Sequence, residues 1–211
     1  MCTDKHGPLV KHVRNRKFYQ ITLTNSYKQA FVLEQSVEIG KEYNPFFRFY
    51  ENTLNYPVTD GNTGASIQVN AVEWLHRVRM KTILTSYEIL AEKAFEVSQH
   101  YLMLARELIM EQIRVEEFAG KPPSRQKCLF LCETVEEAKT WLPLLSGTGA
   151  VCELTCTGKF LRTDSSLMVK TSEPLSVTRD KARAYWSGDA SSDPRMEILF
   201  EGEAKVTAIG L

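Results

Sequence analysis

Apolar and polar positions follow two rhythms along this chain, and the change of rhythm divides it. Residues 17–24 form a short run rich in Phe, Tyr, Ile and Thr, the composition of a half-buried β-strand. Turn formers crowd residues 55–65, with Asn55, Pro57, Asp60, Gly61, Asn62 and Gly64, and predict a flexible joint. From residue 66 to residue 119 there is neither Gly nor Pro. Apolar residues there recur at helical spacing, as Val72, Leu75 and Val78, then Tyr101, Leu104, Leu108 and Val115. The pattern predicts two or more helices, broken near residues 82–86 and ended by Gly120 and the Pro122-Pro123 pair.

Beyond Ser124 the rhythm becomes one of strands and short helices. Residues 127–132 and 150–156 read as strands, Gly158 as a turn and Phe160-Leu161 as a further strand. Thr134 and Glu137 have capping-box spacing ahead of a helix carrying Ala138, Trp141, Leu142 and Leu145. Ser176 stands where it caps a helix that runs through Trp186 and stops at Gly188. Residues 196–201 and 204–209 read as strands around Gly202. This order predicts an α+β fold: a basic arm over residues 1–16, then a single domain over 17–211 with a helical insertion at about 66–119.

Composition narrows the classes. With 211 residues and 43% apolar side chains the chain can bury a core. Lys plus Arg and Asp plus Glu number 26 each, so no global charge points to nucleic acid or membrane. The balance is uneven, because Lys5, Lys11, Arg14, Arg16 and Lys17 face only Asp4 within residues 1–20, a local charge of +4. Such an arm either touches phosphates or is a solvated terminus. The basic residues near the start are not followed by an apolar run, so no secretory signal is expected, and no apolar run approaches the ~20 residues of a membrane span. The expected location is cytoplasmic, with no membrane partner.

The five cysteines include two Cys-x3-Cys pairs, Cys128 with Cys132 and Cys152 with Cys156. On an extended strand such residues lie about 13 Å apart, too far to share one tetrahedral zinc. They read as small apolar core residues of a reducing compartment, with no metal. Gly147-Thr148-Gly149 follows a helical pattern and precedes a strand, the reverse of a dinucleotide loop. His6, His12, His76 and His100 have neither metal-ligand spacing nor a nucleophile motif. Glu107, Glu111 and Arg114 share one helix face. They are either a solvated ion-paired face or a buttress for the Pro-Pro-Ser-Arg turn at 122–125, and neither role is catalytic. Glu197 opens an apolar strand, where a carboxylate is either solvated at the strand end or aimed into a cleft.

Several of these segments carry a resemblance. Tyr19-Gln20-Ile21-Thr22, Arg106-Glu107 with Glu111, Pro123-Ser124-Arg125, Tyr185-Trp186-Ser187-Gly188 and the strand from Glu197 to Gly202 occur in that order. Together they resemble the ADP-ribosyltransferase superfamily, and within it a bacterial branch of toxin and phage-defence type. The resemblance implies a split β-sheet core from residues 17–50 and 123–211 and NAD as co-substrate. It implies catalytic roles for Glu197, beside the ribose 2′-OH, and for Arg125, paired with a phosphate of NAD. Ser124, Tyr19, Gln20 and Thr22 would contact the cofactor, Gln20 standing where the family often has His. Tyr185 and Trp186 would pack against nicotinamide, or else anchor the helix end. The implied acceptors are RNA before DNA, with protein the alternative, and an antitoxin is an implied partner. A catalytically inactive NAD-fold binding module is the other class. The lean to nucleic acid rests on the basic arm and on Phe46, Phe47, Phe49 and Tyr50 around Arg48, since aromatics interleaved with Arg stack unpaired bases.

Overall fold

Long antiparallel strands organise the structure, a computed structural model that describes residues 10–23, 31–59, 63–145, 149–168 and 171–211. The elements are β1 (Lys11–Leu23), β2 (Ser36–Ile39), α1 (Pro45–Glu51), β3 (Asn55–Thr59), β4 (Ser66–Asn70), α2 (Ala71–Arg79), α3 (Tyr87–Phe118), β5 (Leu129–Leu131), α4 (Val135–Trp141), β6 (Gly149–Asp164), α5 (Leu175–Ser187) and β7 (Met196–Ile209). Helices and antiparallel sheets are both present, so the class is α+β. None of the helices among the described residues is long and apolar enough to cross a membrane.

Two compact units divide the chain, one comprising residues up to Phe47 and from Arg106 on, the other Arg48–Ala105. The first holds a five-stranded antiparallel sheet in the order β1-β6-β7-β2, with β5 also on β7. Tyr19 and Cys132 exchange backbone hydrogen bonds of 3.0 and 2.7 Å, so β5 meets β1 as well and closes that end of the sheet. Phe18, Leu131, Leu154, Phe160, Ile198, Phe200 and Val206 fill the interior. Cys128, Cys132, Cys152 and Cys156 are buried free thiols within these layers. Burial pushes the Cys132 and Cys156 thiols up to about 12.

Four expectations change here. Gly158 and Gly202 interrupt nothing; β6 and β7 run through them, and the two glycines face each other. A Cβ on Gly158 would lie 2.2 Å from the Glu201 carbonyl oxygen, and one on Gly202 2.4 Å from that of Thr157. These glycines mark a close crossing of two strands rather than turns. Residues 11–16, expected in an arm, belong to β1, with a bulge at Asn15 between Val13 and Arg16. Residues 1–9 lie outside the described residues, as do Gly147 and Thr148. Ser176 lies inside the first turn of α5, which starts after Pro174, while Gly188 ends it in the left-handed conformation (φ 79°) as the spacing predicts. Thr134 caps α4 as expected, and Glu137 reaches back to the Glu133 N–H at 2.8 Å.

The second unit corrects the joint. Residues 55–59 and 66–70 pair as two antiparallel strands, so the first part of the turn-rich stretch is strand, residues 60–62 lie outside the described residues, and the helical insertion begins only at Ala71. Pro57 and Asn55 are tolerated because a two-stranded ribbon has only edges. Asn70 caps α2, and the helical break after Arg79 falls where the sequence indicates. Tyr56, Val69, Ala71, Trp74 and Val97 form this unit's core.

Candidate functional site

The end of α3 shapes the site in the first unit. Gly120 (φ 66°) and the proline pair turn the chain sharply. Arg114 holds that turn, donating from Nη1 to the carbonyls of Gly120 (2.7 Å) and Pro122 (2.9 Å). Its other guanidinium edge meets Glu111, which also accepts from Ser124 Oγ at 2.9 Å. Asn44 Nδ2 donates to the carbonyls of Arg125 (2.7 Å) and Cys128 (2.9 Å). Glu111 and Arg114 are thus the buttress of the turn. The turn is thus held on both sides, and the Arg125 side chain points into the interior.

There Arg125 joins groups from three other segments. Its Nε donates to Glu107 Oε2 at 2.9 Å and its Nη1 to Glu197 Oε1 at 2.6 Å, while Nη1 also donates to the Tyr185 hydroxyl. Tyr185 in turn donates to the same Glu197 oxygen at 2.7 Å. Arg106 donates to Glu107 Oε1 from Nε (3.1 Å) and Nη2 (2.8 Å). The guanidinium of Arg125 stacks between Phe130 and Tyr185, 4.9 and 5.2 Å from their ring centres. The two arginines and two glutamates balance in charge. Burial pushes the Glu107 carboxyl up, but Arg125 and Arg106 together overcome it and hold it below its ordinary value. Burial, with Glu197 adding to it against Arg125, raises the Tyr185 phenol well above its usual range, so it stays a donor.

Asp164, at the end of β6, aims the start of β7. It accepts from the N–H groups of Ser166 (2.8 Å), Ser191 (2.9 Å) and Arg195 (2.8 Å) and from Ser166 Oγ (2.7 Å). Burial raises its carboxyl, yet these donors hold it well below the carboxylate range. The connection from α5 is thereby tied down just ahead of Glu197. A cavity of about 230 Å³ opens beside it, lined by Trp141, Arg195 and Met196. Met196 and Glu197 are successive residues of a strand and face opposite ways, so this cavity lies across β7 from the buried cluster.

Arg125, Tyr185 and Glu197, singled out in the sequence, converge. Ser124 lies next to them, spent on Glu111. Trp186 is fully buried and donates its indole N–H to the Met110 carbonyl at 2.8 Å, which makes it the anchor of the α5 end. Arg125 is only 5% exposed and spends its donors on two carboxylates and a phenol. Its Nη1 thus meets Glu197 Oε1, a different partner from the NAD phosphate that the resemblance implies. Tyr19, Gln20 and Thr22 lie on β1; Thr22 Oγ1 is 3.3 Å from Cys152 Sγ, and Gln20 Oε1 is buried without a hydrogen-bond partner. Among the described residues no hydrogen bond or ion pair links these three to the cluster. Glu107, left on a helix face by the sequence reading, is fully buried. Its signal was the row Glu107, Met110, Ile113, a spacing that puts it on the buried stripe of α3. Of the aromatics near Arg48, Phe47 is buried and Phe46 packs on Phe130, so these two are core; Phe49 stays 55% exposed.

Residues 18–210 match a protein family described as a protein of unknown function, DUF2441. The chain belongs to this family. The match begins at Phe18 and takes in every residue of the cluster. No curated protein matches the chain.

Proposed function

We propose that this DUF2441 chain is an NAD-dependent ADP-ribosyltransferase whose reacting carboxylate is Glu197. One observation carries the reading: Oε1 of Glu197 is held by both Arg125 and Tyr185, while Oε2 has no partner among the described residues and the side chain keeps 11% of its surface accessible. A carboxylate clamped by one oxygen and open at the other is preorganised to act on a ligand. In the proposed reaction the bond between ribose C1′ and the nicotinamide nitrogen breaks, and its electron pair leaves with nicotinamide. Positive charge develops on the sugar, as in glycoside cleavage. Oε2 accepts from the ribose 2′-OH and stabilises that charge. The acceptor's nucleophile then adds at C1′ and loses its proton. The orphaned Gln20 Oε1 fits a ribose hydroxyl as its donor. The antiparallel α+β architecture is compatible with a split-sheet core of this superfamily.

The proposed acceptor is nucleic acid, RNA before DNA, in a toxin or defence effector, with protein the alternative acceptor and an antitoxin as partner. An inactive NAD-binding module is favoured by a different observation, the ion pair that occupies Glu197. Turnover decides. The protein is incubated with labelled NAD and cell extract, and nicotinamide release and label transfer are followed. Release by the wild type, cut about 100- to 1,000-fold in Glu197→Gln, is expected. Wild-type protein that binds NAD yet releases no nicotinamide is the binding module.

A further inference from the structure

A second cluster of arginines lies on the first unit, outside the buried site. Glu133 bridges two of them, accepting from Arg16 on one oxygen and forming an ion pair with Arg162 through the other, 3.0 Å from Nε. Arg162 Nη2 also meets Glu137 at 2.6 Å. Arg16 is fixed from below, its guanidinium 5.0 Å from the Phe18 ring centre and 5.2 Å from that of Phe160. Lys11, Arg16, Glu133, Phe160 and Arg162 line a cavity of about 240 Å³. Its lining holds Lys11, Arg16 and Arg162 against the single carboxylate of Glu133. Glu133 sets the two arginines in place without using all their N–H groups: no acceptor among the described residues meets Arg16 Nε or Nη1, or Arg162 Nη1. Lys11 has no ion-pair partner among the described residues either.

The cavity opens beside a strand edge. Among the described residues β1 pairs only with β6 and, at Tyr19, with Cys132, so its other edge is open over residues 11–17. That stretch carries Lys11, Arg14, Arg16 and Lys17 and no carboxylate of its own, Lys17 being paired with Glu153 of β6 at 3.0 Å. It spans roughly 20 Å at strand rise, the reach of several phosphates of an extended strand rather than of one small anion.

We propose that the Lys11–Arg16–Arg162 cavity and the basic edge of β1 bind the phosphodiester backbone of a single-stranded nucleic acid, one phosphate in the cavity and its neighbours along the strand. The inference deepens the nucleic-acid acceptor of the proposed function. It stands apart from turnover, because binding is read without NAD.

The test uses the full chain and fluorescein-labelled 15-nucleotide RNA and DNA single strands, with fluorescence anisotropy read at rising salt. The wild type is expected to bind, more weakly as salt rises. Lys11→Glu/Arg14→Glu, two exposed positions, should weaken binding at least 10-fold and flatten the salt slope by about 0.7 for each phosphate that is no longer neutralised. Lys121→Glu, exposed after α3, should bind as the wild type does. Unchanged thermal melting of the double variant would exclude unfolding as the cause. Tighter binding of RNA than DNA, or the reverse, identifies which strand is the source of the phosphates. No binding by the wild type, or equal binding by the double variant, overturns the proposal. So does a double variant that keeps oligonucleotide binding but loses affinity for NAD, since the cations would then serve the co-substrate.

Discussion

The Arg125 cluster and the Arg16 cluster are made of the same groups, arginines bridged by glutamates, and differ in burial. Arg125 and Glu107 have side chains 6% and 0% exposed; Arg16 and Glu133 stand at 39% and 34%. In the first, each charge has exchanged water for its partners, and removing one partner strands the others in a poor solvent. In the second, water replaces any partner that leaves, and the ion pairs contribute little. Identical chemistry therefore serves different ends. The buried network holds one geometry around Glu197, whereas the surface network holds donors ready for exchange with a ligand.

The sharpest way to break this contrast is Arg125→Met. It leaves Glu107 and Glu197 without their shared cation and should cost about 3–5 kcal/mol, or roughly 10 °C in Tm, read by urea and thermal unfolding. A cost under about 1 kcal/mol would mean that burial does not separate the two clusters. Glu197→Gln keeps an acceptor for Arg125 and Tyr185, so its effect should fall on chemistry. Nicotinamide release drops by about 2.7–4 kcal/mol of transition-state stabilisation, with a smaller loss of stability than in Arg125→Met. The reverse pattern, stability lost and turnover kept, would make Glu197 structural.

Acid titration sharpens the comparison further. The Glu107 carboxyl lies below its ordinary value in the folded chain. Its contribution is therefore present above the unfolded pKa of about 4.3 and disappears as pH falls through the lower folded value. Urea midpoints should decline below about pH 4, and less steeply in Glu107→Gln. A variant with the wild-type slope would exclude Glu107 as a source of the acid sensitivity. The smallest effect belongs to Glu133→Gln, within about 1 kcal/mol of the wild type and shrinking with added salt. A loss near that of Arg125→Met would make the surface cluster a structural support instead of an open site.

Much of the scaffold was legible in local chemistry. The break between α2 and α3, the Thr134 cap and the Gly188 stop each depend on one or two residues whose preference acts within a turn. The position of Glu197 at the head of a strand, and the Pro-Pro-Ser-Arg turn, were visible for the same reason. The glycines misled because Gly serves turns and close crossings alike, and only the partner strand distinguishes them. Gly158 needs Gly202 opposite, on a different strand far along the chain. The pairing of residues 55–59 with 66–70 was hidden because two of the turn formers, Asn55 and Pro57, lie within a strand, where an edge tolerates them.

The sequence alone determined the alternation of strand and helix, the α+β class, the chain's local caps and stops, and Glu197 as a charge out of place at the head of an apolar strand, while Arg125 and Tyr185 stood out only through the resemblance. Tertiary structure decided which charges meet. It buried Glu107 beside Arg125 and left Glu133 beside Arg16 in water, and it turned Trp186 into the core. Charge pairing acts through space and through the local dielectric, and neither distance nor burial is set by spacing along the chain.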